Sequence, residues 1–115
     1  MVDQSVIELV REYLRQCQTA GLPVAKAVLY GSCARGTQRP ESDIDVLLLS
    51  PAFEELTWDQ ETLAWKIARS VDWRIQPVLC GELTYETNDW HPLLDLARQD
   101  GLEIRPESEV PAPHP

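Results

Sequence analysis

The chain has 115 residues, 43% apolar and 25% charged, enough for one domain with a single modest core. Its formal charge of −9 argues against a surface built mainly to grip nucleic acid, which needs clustered Lys and Arg to displace counterions. No apolar run approaches membrane-spanning length and no segment has the basic start and apolar stretch of an export signal, so the expectation is a cytoplasmic protein that does not enter membranes.

In chain order, Val6, Val10, Tyr13, Leu14 and Cys17 recur at helical spacing, which predicts a helix over 3–20 stopped by Gly21. A strand is predicted at 25–30, followed by a Gly31-Ser32 turn, a short helical turn over 33–36 and a loop from 36 to 40. The next strand, 43–49, ends in the continuous run Val46-Leu47-Leu48-Leu49, which implies burial on both faces. After a connection at 51–55, Leu63, Ile67 and Val71 mark the buried stripe of a helix over 57–70. A third strand is predicted at 73–79, with Pro77 demoting it to a sheet edge or a bulge. Thr84 or Asn88 is the expected cap of a helix around 89–99, and 102–104 reads as a short strand or final turn.

The organisation predicted is one domain over residues 1–105 and a disordered tail, rich in Pro and Glu, over 106–115. Cys17, Cys33 and Cys80 are odd in number and lack metal-type spacing, so free thiols are expected. His91 and His114 have no partner pattern and read as surface histidines. Trp58, Trp65, Trp73 and Trp90 read as core or partner-interface residues, with adenine stacking as the rarer use.

The chemistry concentrates between residues 31 and 45, Gly-Ser-Cys-Ala-Arg-Gly-Thr-Gln-Arg-Pro-Glu-Ser-Asp-Ile-Asp. Alternation places Asp43 and Asp45 on one face of the second strand, about 6–7 Å apart along the backbone. Two convergent carboxylates can hold a hard cation, and a Gly-Ser turn can present backbone N–H groups and a hydroxyl to phosphate oxygens. Together they read as a cation–triphosphate site.

This stretch resembles the signature of the DNA polymerase β-like nucleotidyltransferase superfamily: Gly-Ser, ten residues, then Asp-x-Asp. Arg35-Gly36 and Ser42-Asp43-Ile44-Asp45 are similar to the habit of its minimal nucleotidyltransferases (MNT), small domains often paired with a helical HEPN partner in toxin–antitoxin modules. The resemblance implies an α/β fold with a small mixed β-sheet packed with helices. It also implies Mg²⁺ or Mn²⁺ as cofactor and ATP or another NTP as substrate. Asp43 and Asp45 match the metal-holding catalytic carboxylates, while Gly31, Ser32 and Arg35 match nucleotide-binding positions. For Arg35 a solvated loop arginine is the equal alternative.

The superfamily has a third carboxylate on the strand after the intervening helix, and matching 73–76 to that strand puts Gln76 there. An amide is uncharged, ligates metal weakly and cannot act as a base. Asp72 is the other acidic residue nearby, about 13 Å from position 76 along an extended strand, and reads better as a helix-to-strand turn residue.

Three functions follow from the resemblance. The first is transfer of a nucleotide monophosphate, AMP from ATP, to a hydroxyl of a HEPN-type partner protein. The second is an antitoxin that neutralises its partner by binding alone, which Gln76 favours. The third is the catalytic subunit of a two-chain transferase acting on a small molecule, or on RNA only if the partner is basic. Assembly as a homo- or hetero-oligomer stays open.

Overall fold

The computed structural model describes residues 3–36, 39 and 41–106. Helix α1, Gln4–Thr19, is capped by Asp3, whose carboxylate accepts the Ser5 amide at 2.9 Å. Its Val6, Val10, Tyr13, Leu14 and Cys17 are all buried, as their spacing predicts. Strand β1, Lys26–Tyr30, leads through Gly31 into the single turn α2, Ser32–Arg35. Strand β2, Ile44–Ser50, is followed by a short 3-10 helix, Pro51–Glu55, and by α3, Trp58–Val71. A capping box fixes the start of α3, with the Thr57 hydroxyl accepting the Gln60 amide and the Gln60 side chain accepting the Thr57 amide. Strand β3, Ile75–Gly81, helices α4, Glu82–Thr87, and α5, Pro92–Asp100, and strand β4, Leu102–Ile104, complete the described chain.

The four strands form one mixed sheet in the order β3-β2-β1-β4, with β1 antiparallel to β2 and β4, and β2 parallel to β3. Alternation divides the strand residues between two cores. Leu29, Val46, Leu48 and Ile75 pack against α1 and α3. Val28, Tyr30, Leu47 and Leu49 pack on the opposite face with Leu94 and Ala97 of α5. Burial of Val46 to Leu49 from both sides explains their unbroken apolar run. The Tyr13 hydroxyl ties the two helices of the first core together by donating to the Ala64 carbonyl at 2.8 Å.

Gly101 must be a glycine because of space. A Cβ there would lie 2.3 Å from the Ala97 carbonyl oxygen and 2.3 Å from a Val28 methyl, so this close approach seats the end of α5 on the sheet.

Three features differ from the sequence reading. The third strand begins at Ile75, not at 73, because Trp73 and Arg74 form a turn pinned by the Arg69 guanidinium, which donates to the carbonyls of Trp73 and Ile75. Pro77 is tolerated since β3 is an edge strand. Second, α5 starts at Pro92 with His91 as its cap, and Asn88 instead closes the preceding turn by accepting the Trp90 and His91 amides. Thr84 lies inside α4, an element that periodicity did not indicate. Third, none of the four tryptophans is in the core: Trp58 is 77% exposed, Trp90 76%, Trp73 62% and Trp65 40%.

The cysteines are free thiols. Among the described residues no helix is long and apolar enough to cross a membrane. The tail expected to be disordered falls outside the described residues from 107 onward.

Candidate active site

The candidate site lies where the end of β1 meets the starts of β2 and β3. Strand register forms it. Asp45 pairs with Tyr30 on β1 and with Gln76 on β3, so these three side chains form a row across one face of the sheet. Asp43 stands just before β2 and is exposed, while Asp45 is half-buried.

The turn between β1 and α2 closes against this row. Gly31 has φ +79 and ψ −154, and a Cβ on it would lie 2.6 Å from Oδ2 of Asp45. Positive φ and close approach therefore both require glycine, and they bring the Gly31-Ser32 backbone against the carboxylate. The amides of Ala34 and Arg35 donate to the Gly31 carbonyl, at 3.1 and 3.3 Å, and wind the turn into α2. Buried Cys33 packs beneath it, its thiol donating to the Asp43 carbonyl at 3.5 Å, which links α2 to the carboxylate-bearing segment. Ahead of Asp43, the Arg39 amide donates to the Ser42 hydroxyl and the Ser42 amide to the Arg39 carbonyl, closing a tight turn. Arg35 is exposed at the end of α2.

Electrostatics follow from this crowding. Burial, and then the charge of Asp43, raise the pKa of Asp45 above the ordinary carboxylate value. Burial and the Asp45 charge push the Tyr30 phenol up to about 12, which keeps it neutral beside the carboxylates. Two mutually repelling carboxylates with hard oxygen donors fit one divalent cation, whose charge would relieve the repulsion. Among the described residues, no group of three or more His, Cys, Asp and Glu side chains is placed to hold a metal ion.

Asp43, Asp45, Gly31 and Ser32 thus come together, and Gln76 completes the row at the position matched to the third carboxylate. Asp72 does not join them. It caps the C-terminus of α3 and pairs with Arg74, Nε to Oδ1 at 3.0 Å and Nη2 to Oδ2 at 3.1 Å, which lowers its pKa. Arg74 is a neighbour that the sequence reading did not single out. Its position two residues before Gln76 was the available signal. Ile44 N–H donates to the Arg74 carbonyl at 2.8 Å, which docks this segment beside the Asp43–Asp45 stretch.

A family model described as the nucleotidyltransferase domain matches residues 8–96, which include every residue of the site. The chain belongs to the nucleotidyltransferase domain family. The resemblance carried by residues 31–45 implies the same assignment, and the mixed sheet flanked by helices agrees with it. The fold is similar to that of a protein from Sulfolobus solfataricus provisionally named a nucleotidyltransferase, with a TM-score of 0.59 at 16% identity over 86% of this chain and 78% of that one. It is also similar to a chain in the crystal structure of a toxin–antitoxin with AMP-PNP, with a TM-score of 0.57 at 21% identity over 81% of this chain and 70% of that one. No match is found among curated proteins. The chain is a nucleotidyltransferase, and Asp43 and Asp45 stand at the start of its β2.

Proposed function

We propose that this nucleotidyltransferase moves AMP from ATP to a side-chain hydroxyl of a partner protein, as the MNT antitoxin of a helical HEPN-type toxin. The observation that carries the reading is Asp45 held against the glycine turn with Asp43 two residues before it, a cation and a phosphate feature at one end of the two central strands. A structural neighbour with a toxin–antitoxin and an ATP analogue supports nucleotide and partner alike. The exposed surface adds support for a partner. Trp58 and Trp65 line a groove on α3 with Lys66 and Arg69, and the Arg69 guanidinium lies 5.2 Å from the Trp65 ring. Trp and Arg are the residue types enriched where proteins bind one another.

In this reading the Gly31-Ser32 backbone approaches the triphosphate and the Ser32 hydroxyl contacts it. Arg35, at the open end of α2, adds a charge-assisted phosphate contact. Asp43 and Asp45 would hold Mg²⁺ or Mn²⁺, which would supply positive charge to the triphosphate oxygens. The acceptor hydroxyl attacks the α-phosphorus in line: the new O–P bond forms as the bond to pyrophosphate breaks, pyrophosphate leaves, and the hydroxyl proton passes to water. Tyr30, neutral and packed beside Asp45, shields one flank of the pair from water. Gln76 favours a second reading, in which the same fold binds nucleotide and neutralises its partner without transfer.

Nucleotide binding tests the common step. Calorimetric titration with AMP-PNP and Mg²⁺ should show one site in the wild type and at least a tenfold weaker one in Asp43→Asn. Equal affinity in the two proteins would remove Asp43 from the site.

A further inference from the structure

We infer that this site is built for one divalent cation, with Gln76 withholding the anchor of a second. The inference rests on the nucleotide reading above and deepens it.

Gln76 is paired with Asp45, so the residue facing the Asp43–Asp45 pair from β3 is an amide. A divalent ion shared among carboxylates gains from each negative charge, and an amide oxygen contributes only a dipole. The Gln76 amide is also turned back along its own strand, its Nε2 donating to the Arg74 carbonyl at 3.5 Å. The row then offers one hard anionic pair, Asp43 and Asp45, which is sufficient for a single cation that keeps phosphate oxygens and waters as its other ligands.

The test counts ions rather than turnover. Mn²⁺ is titrated into the whole protein saturated with AMP-PNP and followed by electron paramagnetic resonance, against nucleotide alone as the blank. The expected result is one protein-dependent Mn²⁺ per chain in wild type and two in Gln76→Glu, a near-isosteric change on a half-exposed residue. Two ions in the wild type would overturn the inference while leaving the nucleotide reading intact. One ion in both proteins would show that Gln76 does not set the number, and would overturn it too. No protein-dependent Mn²⁺ together with no AMP-PNP binding would overturn the nucleotide reading itself. If Gln76→Glu folds poorly, Gln76→Asp supplies the same arm, and two ions in the wild type overturn the inference in either case.

Discussion

Asp45→Asn should abolish nucleotidyl transfer and at the same time raise the melting temperature of the metal-free protein. The loss follows from the proposed chemistry, in which the amide removes one of the two charges that would hold the cation; a fall on the order of 10²–10³-fold or more is expected. The gain follows from burial. Asp45 is half-buried beside Asp43, and both burial and that neighbour raise its pKa. In the unfolded chain neither burden exists. Ionised Asp45 therefore costs stability at neutral pH, and the cost is relieved as pH falls through its raised pKa toward the ordinary carboxylate value. This is the reverse of Asp72, whose lowered pKa contributes stability that is lost on acidification. The expected shift for Asp45→Asn is about 2–4 °C upward at pH 7.5 without metal, shrinking as pH falls and reversing once saturating Mg²⁺ and nucleotide stabilise the wild type alone. Scanning calorimetry with and without Mg²⁺–AMP-PNP measures both halves. A lower melting temperature for the metal-free variant at neutral pH would show that the carboxylate has a stabilising partner.

Gly31→Ala is expected to lose both stability and activity. The backbone at Gly31 lies in a region that residues with a Cβ hardly enter, at a cost of about 1–3 kcal/mol. For a domain of this size that corresponds to roughly 5–15 °C in melting temperature. The methyl would also fall 2.6 Å from Oδ2 of Asp45, so the turn and the carboxylate cannot both keep their places. Relief by moving Asp45 disturbs the cation site, and relief by opening the turn withdraws Ser32 from the phosphates. Transfer should therefore fall well beyond what the unfolded fraction explains. Wild-type melting and wild-type rate in Gly31→Ala would contradict the geometry of the turn.

Much of this arrangement is legible in the sequence where local physics decides it. The α1 stripe follows from apolar spacing, the end of β2 from its unbroken apolar run, and the turn between β1 and α2 from a Gly-Ser step placed between two strand-like runs. What was not legible depends on distant partners. Helix α4 has no apolar stripe of its own and is capped from 29 and 30 residues away in sequence, where the Glu54 carboxylate accepts the amides of Leu83 and Thr84. Trp73 reads as a strand residue by alternation, but Arg69 bends that segment into a turn. The sheet order required the resemblance, since periodicity does not say which strands are neighbours. Exposed tryptophans look like core residues in any sequence, because only packing distinguishes the two. Asp72 and Gln76 could be compared by spacing alone, yet the choice between them rests on register, and register sets Gln76 beside Asp45.

The most direct test of the central claim is the intact mass of the protein encoded beside this one, after co-expression with wild type or with the Asp43→Asn/Asp45→Asn pair. The account predicts added AMP masses on that protein with wild type and none with the variant. An unmodified protein that co-purifies equally with both would contradict transfer and leave a scaffold that acts by binding.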